Sequence, residues 1–268
     1  MITYPFAYTR AKSLNEAATL IAGNPDAKIL AGGQTLIPTM KQRLAQPSML
    51  IDISGLPELA FVRATGDAVT VGAATKHAEV ATSAEVKKSI PALAYLAGEI
   101  GDPAVRHLGT IGGSLANNDP AADYPAAALG LGATLKTTKR NIAADDFFTG
   151  MFETALEDGE ILREVSFPIA GKAGYAKFPN PASRYAMVGV FVAKTKSGVR
   201  VAVTGAGPCV FRVPAMEAAL ASNFTPQAVA NVRIPAEDLI SDLHGSAEYR
   251  AHLVTVMAKR AVAAVDAG

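Results

Sequence analysis

ILAGGQTLIPTMK, Ile29 to Lys41, runs from an apolar stretch through two glycines into Gln34 and Thr35 and then into a second apolar stretch. Lys28 to Ala31 reads as a short buried strand, and Thr35 to Leu44 as a helix carrying Pro38 near its first turn. Gly32 and Gly33 lack a Cβ and tolerate positive φ. The N–H groups of Gly33, Gln34, Thr35 and Leu36 can therefore turn toward an anion at a helix start. The stretch has neither the Gly-Lys-Ser/Thr of a P-loop nor the G-x-G-x-x-G of a dinucleotide-binding unit. Taken alone, it suits a phosphate cradle and a plain strand-to-helix turn equally.

Upstream, Ser13 and Glu16 form a capping box. Leu14, Ala17, Ala18 and Ile21 follow at helical spacing before Gly23 and Pro25 end the helix. Downstream, Ser48 to Ile53 is a second strand, so the order βαβ predicts a small parallel unit. From Leu59 the pattern changes to two strands around Thr65-Gly66-Asp67, a hairpin signature. Helical stretches follow at His77 to Ala81, Pro91 to Ile100 and Ala122 to Leu129. Strands are expected at Ala133 to Thr138 and from Glu160 to Pro168. After a linker at residues 169–174, a hairpin turns at Ser197-Gly198. Ser246 to Val265 is an amphipathic helix with Leu253, Met257, Ala261 and Val265 on one stripe. Strands first and helices last predict an α+β end to the chain.

A second glycine pair lies in Thr110-Ile111-Gly112-Gly113-Ser114, followed by Leu115 to Asp123. Asp119 before Pro120 suits an N-cap followed by an N1 proline. Asp123, about one turn into that helix, is placed to accept from a ligand hydroxyl and to repel a phosphate. The small residues at 112–114 permit close approach of a flat ring, and Asn117 and Asn118 offer amide groups. Two glycine-paired loops about 80 residues apart suit a long ligand with a diphosphate, a polyol and flat rings.

The 268 residues are 50% hydrophobic with 25 basic and 24 acidic side chains, which permits a large core and gives no footprint for nucleic acid. The N-terminal stretch lacks a signal-peptide pattern and no span of about 20 apolar residues occurs, so a cytoplasmic protein without a membrane span is expected. Cys209, the only cysteine, excludes an intrachain disulfide and a four-thiolate cluster held by this chain alone. It reads as a small buried residue before an apolar strand. His77, His107, His244 and His252 lack the i, i+4 spacing of a zinc-binding helix, so no metal site is expected. His77 reads as a helix-start residue or as lining for a nucleotide. Arg106 suits a diphosphate or a salt bridge, and Asp145-Asp146 a solvated turn. No residue set for acyl transfer stands in a G-x-S-x-G setting, and no catalytic residue is assigned.

AGGQTLIPTMK, TIGGSLANNDPAADYPA, EILREVSFP and ASRYAMVGVFVA, in this order, resemble the FAD-binding medium subunit of molybdenum hydroxylases. That group includes aerobic carbon monoxide dehydrogenase and the flavin domain of xanthine dehydrogenase. The resemblance implies a vanillyl-alcohol-oxidase-like (PCMH-type) FAD-binding fold ending in a three-stranded antiparallel sheet plus helices. It also implies an FAD-binding domain at 1–170, split into a βαβ part (1–55) and a mixed part (56–170), and a C-terminal domain at 171–268. By the same resemblance, the backbone of Ile29, Leu30, Ala31, Gly32, Gly33, Gln34, Thr35 and Leu36 holds the FAD pyrophosphate. The second loop supplies Thr110, Ile111, Gly112, Gly113, Ser114, Asn117 and Asp123, with Asp123 on the ribityl or ribose hydroxyls. Ile161 or Leu162 touches the flavin system and Tyr185 lies near the isoalloxazine. Met187 stands where some relatives have lysine.

The implied function is electron transfer within a heterotrimer, itself paired into a dimer of heterotrimers. The large partner subunit carries the molybdenum cofactor and the small one carries [2Fe–2S] clusters, while FAD in this chain passes electrons to an external acceptor. The alternatives are a self-sufficient flavin oxidase and a non-catalytic nucleotide-binding module. Mean hydropathy of +0.22 leaves apolar surface for partners and favours the subunit.

Overall fold

The structure, a computed structural model, describes residues 2–265. The outermost bounds of the expected domains, residues 1 and 268, lie outside the described residues. The N-terminal part comprises β1 (Ala7–Arg10), α1 (Leu14–Gly23), β2 (Lys28–Leu30), α2 (Leu36–Lys41) and β3 (Met49–Asp52). The strands form a sheet in the order β1-β3-β2, and β3 runs parallel to both neighbours. The β2-α2-β3 crossover is the one the sequence predicts. β1 escaped the sequence because AYTR lies largely exposed and carries no apolar run. It is fixed instead by pairing and by the Tyr8 hydroxyl, which donates to Asp52 Oδ2 at 2.6 Å. At α1, Ser13 Oγ accepts the Glu16 N–H at 3.2 Å, while the Glu16 carboxylate takes the Lys12 N–H at 2.7 Å, one residue before the usual capping-box partner. α2 stops at Lys41, short of the expected Leu44, because Arg43 turns the chain with φ 62.

The central part begins with the hairpin β4 (Val62–Thr65) and β5 (Ala68–Gly72), closed by Gly66-Asp67. Six helices follow: α3 (His77–Thr82), α4 (Ala84–Ser89), α5 (Pro91–Gly98), α6 (Pro103–Leu108), α7 (Ile111–Asn117) and α8 (Tyr124–Leu131). Then come β6 (Thr134–Thr137), β7 (Asn141–Ala143), the short helix α9 (Ala144–Phe147), β8 (Phe148–Gly150), β9 (Glu153–Thr154) and β10 (Leu162–Pro168). The sheet order β4-β5-β10-β6-β7 places β10, last in sequence, in the middle, antiparallel to β5 and β6. Val69, Val71, Val165 and Phe167 on the sheet bury against Leu93, Leu96, Leu115 and Leu129 of the helices.

Helix α8 corrects the expected register. It starts at Tyr124 with Pro125 in its first turn, whereas the sequence placed Asp119 and Pro120 at the helix start. Asp119 instead closes a turn by accepting the Ala121 N–H at 2.9 Å. The physical reason is tertiary. The Thr204 hydroxyl donates to Pro120 O and Ala122 O at 3.0 and 2.6 Å, which takes those carbonyls out of any helix.

The C-terminal part contains β11 (Lys172–Pro179), β12 (Ala186–Thr195), β13 (Gly198–Thr204), β14 (Phe211–Arg212), α10 (Pro214–Ser222) and α11 (Ala247–Val265). Its antiparallel sheet has four strands, in the order β11-β12-β13-β14, and so corrects the three-stranded expectation. The chain turns back after Gly205, at φ 82, and Phe211 and Arg212 pair with Val203 and Ala202. The β12-β13 turn is Lys196-Ser197, one residue earlier than expected, with Gly198 opening β13 at φ 126.

The two faces of β12 serve different cores, as the two-residue period of a strand requires. Val188, Val190 and Val192 pack with Leu253, Val254 and Met257 of α11, while Phe191 and Ala193 enter the core of the central part. Gly130 brings α8 flush against this sheet, since a Cβ there would meet the Phe191 ring at 2.8 Å. Asp145 is exposed as expected, but it lies in α9 rather than a turn and is ion-paired. Both its oxygens accept from Arg200 Nη2 at 2.7 Å, while Arg200 Nε donates to Leu129 O. Asp145→Ala is expected to lower unfolding free energy by about 1 kcal/mol, discounted for its half-exposed carboxylate, as measured by urea denaturation.

Candidate functional site

The two glycine loops abut. A Cβ on Gly32 would lie 2.3 Å from Leu108 O and 2.7 Å from the Gly109 Cα. Gly32 is thus the residue that lets the first loop seat against the chain leading into the second. Gly33 has φ 68, the left-handed region that disfavours side chains, and the next residues turn into α2. Beyond β2 and Ala31, no acceptor among the described residues takes the N–H of Gly32, Gly33, Gln34, Thr35 or Leu36. Around them the first hydrogen bonds of the turn run from Ile37 to Gly33 O and from Thr39 to Thr35 O. A run of unpartnered N–H groups at a glycine turn has the donor chemistry an anion such as a diphosphate requires.

The second loop is built differently. Thr110 caps α7 by accepting the Gly113 N–H on Oγ1 at 3.2 Å, and the Ser114 N–H goes to Thr110 O. The N–H groups of Ile111 and Gly112 reach back to Thr75 O and Ala73 O at 3.0 and 2.8 Å. All four are engaged, so this loop offers a surface rather than a cradle. Gly112 has no room for a side chain, with Ala73 Cβ at 2.5 Å from its Cβ position, whereas Gly113 is exposed and Ser114 and Asn117 are half-buried. Asn118, also a sequence candidate, is occupied structurally. It takes φ 44 at the end of α7, and its amide donates to Gly150 O and Glu153 O at 2.8 and 2.7 Å.

Asp123 sits at the start of α8, 4% exposed. Its Oδ1 accepts from the Tyr175 hydroxyl at 2.5 Å and lies 3.0 Å from Lys177 Nζ, which also donates to Glu99 O. Burial raises the Asp123 carboxyl above the ordinary carboxylate range, opposed by the Lys177 ammonium and the Tyr175 hydroxyl. Oδ2 receives no hydrogen bond from the described residues. It is also not among their enclosed, unpartnered side-chain atoms, which are His77 Nδ1, Tyr124 Oη and Arg250 Nε. One carboxylate oxygen is therefore anchored and the other is left as an acceptor, a fit to a polyol hydroxyl.

Tyr185 is 45% exposed beside a cavity of about 270 Å³ that Asp119, Asn180, Met187, His244 and Arg250 also line. Burial raises both the Asp119 carboxyl and the Tyr185 hydroxyl. Ile161 and Leu162 lie in two different cores, each 4% exposed. The main chain of Ile161 is engaged by Thr138, whose hydroxyl accepts its N–H and whose own N–H donates to its carbonyl.

Two further residues flank the second loop. His77 opens α3 but is buried beneath the second loop, its N–H donating to Gly109 O at 2.9 Å and its ring 5.4 Å from that of Tyr124. Burial, aided by the nearby Arg106 guanidinium, pushes its pKa down to about 4. Arg106 donates through Nη1 to Ile100 O and Gly101 O, at 2.9 and 3.0 Å. Cys209 is half-buried, 3.6 Å from the Asn118 amide.

Sequence reasoning missed Tyr175, Lys177 and Thr204. Tyr175 and Lys177 stand two apart on β11 and share a face, a parity readable in the sequence. A strand lysine nevertheless reads as solvated until the facing Asp123 is known.

Comparisons with known proteins identify the family. A family profile described as FAD binding domain in molybdopterin dehydrogenase matches residues 4–170, and one described as CO dehydrogenase flavoprotein C-terminal domain matches 173–265. The nicotine 6-hydroxylase medium subunit of Paenarthrobacter nicotinovorans is 36% identical, covering 97% of this chain and 96% of its own. The carbon monoxide dehydrogenase medium chain of Hydrogenophaga pseudoflava is 36% identical, covering 98% and 97%. In the solved structure of carbon monoxide dehydrogenase from Hydrogenophaga pseudoflava lacking the Mo-pyranopterin moiety, one chain superposes with a TM-score of 0.90 at 37% identity. That match covers 100% of this chain and 99% of that one. A chain of quinoline 2-oxidoreductase from Pseudomonas putida 86 also gives 0.90, at 29% identity over 100% and 99%. With both family profiles spanning almost its whole length, this chain belongs to the family of FAD-binding medium subunits of molybdenum hydroxylase-type dehydrogenases.

Proposed function

We propose that this chain is the FAD-holding electron-transfer subunit of a cytoplasmic molybdenum hydroxylase. In this reading it carries electrons from [2Fe–2S] clusters of a small partner subunit to an external acceptor. A large subunit bearing the molybdenum cofactor oxidises the substrate, and two such heterotrimers pair. The single observation that carries the FAD assignment is the run of unpartnered N–H groups from Gly32 to Leu36, beside the chain leading into the second glycine-paired loop. Among the described residues no helix is long and apolar enough to cross a membrane.

FAD, when bound, supplies the redox chemistry, and the chain supplies position and electrostatics. Main-chain N–H groups of the first loop hold the diphosphate, where a neutral cradle needs no counter-charge from Arg106. Gly113, Ser114 and Asn117 would hold the cofactor from the second loop, and Asp123 would accept from a ribityl or ribose hydroxyl through Oδ2. Tyr185 would lie near the isoalloxazine, and Ile161 or Leu162 would touch the flavin system. The PCMH-type description and the division at about residue 170 suit the linker between β10 and β11, although the two parts share one core.

Co-purification tests the subunit assignment. Tagged chain expressed with its neighbouring gene products is expected to bring down a complex containing FAD, iron and molybdenum, read by flavin absorbance and metal analysis. A flavin-containing monomer that turned over substrate without iron or molybdenum would make the chain a self-sufficient oxidase. A chain that showed no flavin band even after FAD addition would return it to a nucleotide-binding module.

A further inference from the structure

The segment carrying Asp119 to Asp123 belongs to the central part of the chain, yet the C-terminal sheet holds it in place. Gly205 N–H donates to Pro120 O at 2.8 Å, Ala186 N–H to Ala121 O at 3.3 Å, and the Thr204 hydroxyl to Pro120 O and Ala122 O. The last contact of the series is chemically the most specific, because Tyr175 Oη meets one oxygen of a buried carboxylate and leaves the other unengaged. Room for that hydroxyl is built into the neighbouring strand. A Cβ on Gly189 would lie 2.5 Å from Tyr175 Oη and 2.9 Å from Thr204 Cγ2.

We propose that Tyr175 is a positioning residue for the cofactor: its hydroxyl, seated in the space left by Gly189, locks Asp123 by Oδ1 so that Oδ2 stays free to accept from a cofactor hydroxyl. The proposal rests on the assignment of Asp123 to the FAD polyol. It makes the C-terminal sheet part of the flavin site, although the family's two glycine loops both lie outside that sheet. Lys177 supplies charge to the same oxygen but no directional constraint comparable to a 2.5 Å hydroxyl contact.

The test uses the full chain, depleted of flavin and titrated with FAD by fluorescence quenching, in wild type, Tyr175→Phe, Gly189→Ala and Asp123→Asn. Tyr175→Phe keeps the ring volume and removes one hydrogen bond to a charged acceptor, so the FAD Kd is expected to rise about 5- to 10-fold. Gly189→Ala displaces the hydroxyl without touching its chemistry and is expected to move Kd in the same direction; it also serves if Tyr175→Phe does not fold. A pH series separates positioning from packing. The groups acting on Asp123 are Tyr175 and Lys177 on β11, Glu99 at the end of α5, Tyr124 on α8 and Tyr185 in the adjoining loop, while Tyr95 acts on Tyr175 and Asp119 on Tyr185. With the hydroxyl gone, the carboxylate loses a donor that favours its charged form, so the acid loss of FAD affinity should move to higher pH in Tyr175→Phe. Unchanged Kd and an unchanged acid limb in Tyr175→Phe, with Asp123→Asn weakened, would overturn the proposal while leaving the Asp123 assignment intact. Wild-type affinity in Asp123→Asn would overturn both.

Discussion

Gly33→Val is expected to purify without flavin, while Gln34→Ala retains it. Gly33 holds φ 68, and a β-branched side chain there costs about 1–2 kcal/mol in backbone strain before any contact is counted. Its Cβ would also sit 3.2 Å from Ile37 Cγ1 and 3.3 Å from Leu30 Cδ1, closer than ordinary van der Waals packing. The chain relieves both by rotating the peptide units that follow, the same units whose N–H groups stand unpartnered from Gly33 to Leu36. Each N–H lost from an anionic diphosphate is worth about 1.5–3 kcal/mol, so misplacing two lowers FAD affinity by about 100-fold or more. Gln34 contributes its main-chain N–H whatever its side chain, so Gln34→Ala should stay within about 3-fold of wild type. Titration of both flavin-depleted proteins with FAD reads the difference. Equal retention in the two variants would reduce the stretch to a strand-to-helix turn.

The second large effect concerns acid stability. His77 is buried with Nδ1 unpartnered beside Arg106, and its pKa falls from 6.5 to about 4. A folded value below the unfolded one means that the unfolded chain binds the extra proton first. The stability His77 contributes is therefore fully present above pH 6.5, is lost progressively as pH falls toward 4, and changes no further below that. At about 1.4 kcal/mol per pH unit, the loss across this window is about 3 kcal/mol. The carboxylates with lowered values, Asp52, Glu85, Glu160, Asp242 and Glu248, also lose stability in acid, but only nearer their own ordinary range. The difference between wild type and His77→Gln, measured by denaturant unfolding at pH 7, 6, 5 and 4, isolates the histidine. Wild type should lose its advantage over the variant by about 3 kcal/mol between pH 7 and 4, and parallel profiles would refute the assignment. His77 also donates its main-chain N–H to Gly109 O, so the residue whose ring titrates sits directly beneath the second glycine loop.

Much of this protein is legible in its residues. The β2-α2-β3 crossover followed from apolar runs and a glycine turn, the β4-β5 hairpin from Gly66-Asp67, and α11 from a stripe repeating at helical spacing. These are local patterns, set by the few residues on either side of each position. The paired glycine motifs likewise marked both loops, because a missing Cβ is a property of the sequence itself.

What the glycines do was decided only by the tertiary structure. Gly32 and Gly112 lack side chains because Leu108, Gly109 and Ala73 occupy the space, whereas Gly33 is needed for its φ; the sequence spells all three alike. The engaged N–H groups of the second loop, the delayed start of α8 and the fourth strand of the C-terminal sheet have the same origin. Ile111 and Gly112 donate to Thr75 and Ala73 and the α8 start is held by Thr204, all far away in the chain, while the fourth strand pairs with Val203 once the chain has turned back at Gly205. Asp123 shows the division most clearly. The sequence could mark it as an acceptor facing a ligand hydroxyl. The clamp on Oδ1 that leaves Oδ2 free comes from Tyr175 and Lys177, more than fifty residues on, and exists only once the C-terminal sheet packs against α8. Local chemistry fixes which groups a residue can offer, and long-range packing fixes which of them remain unpaired.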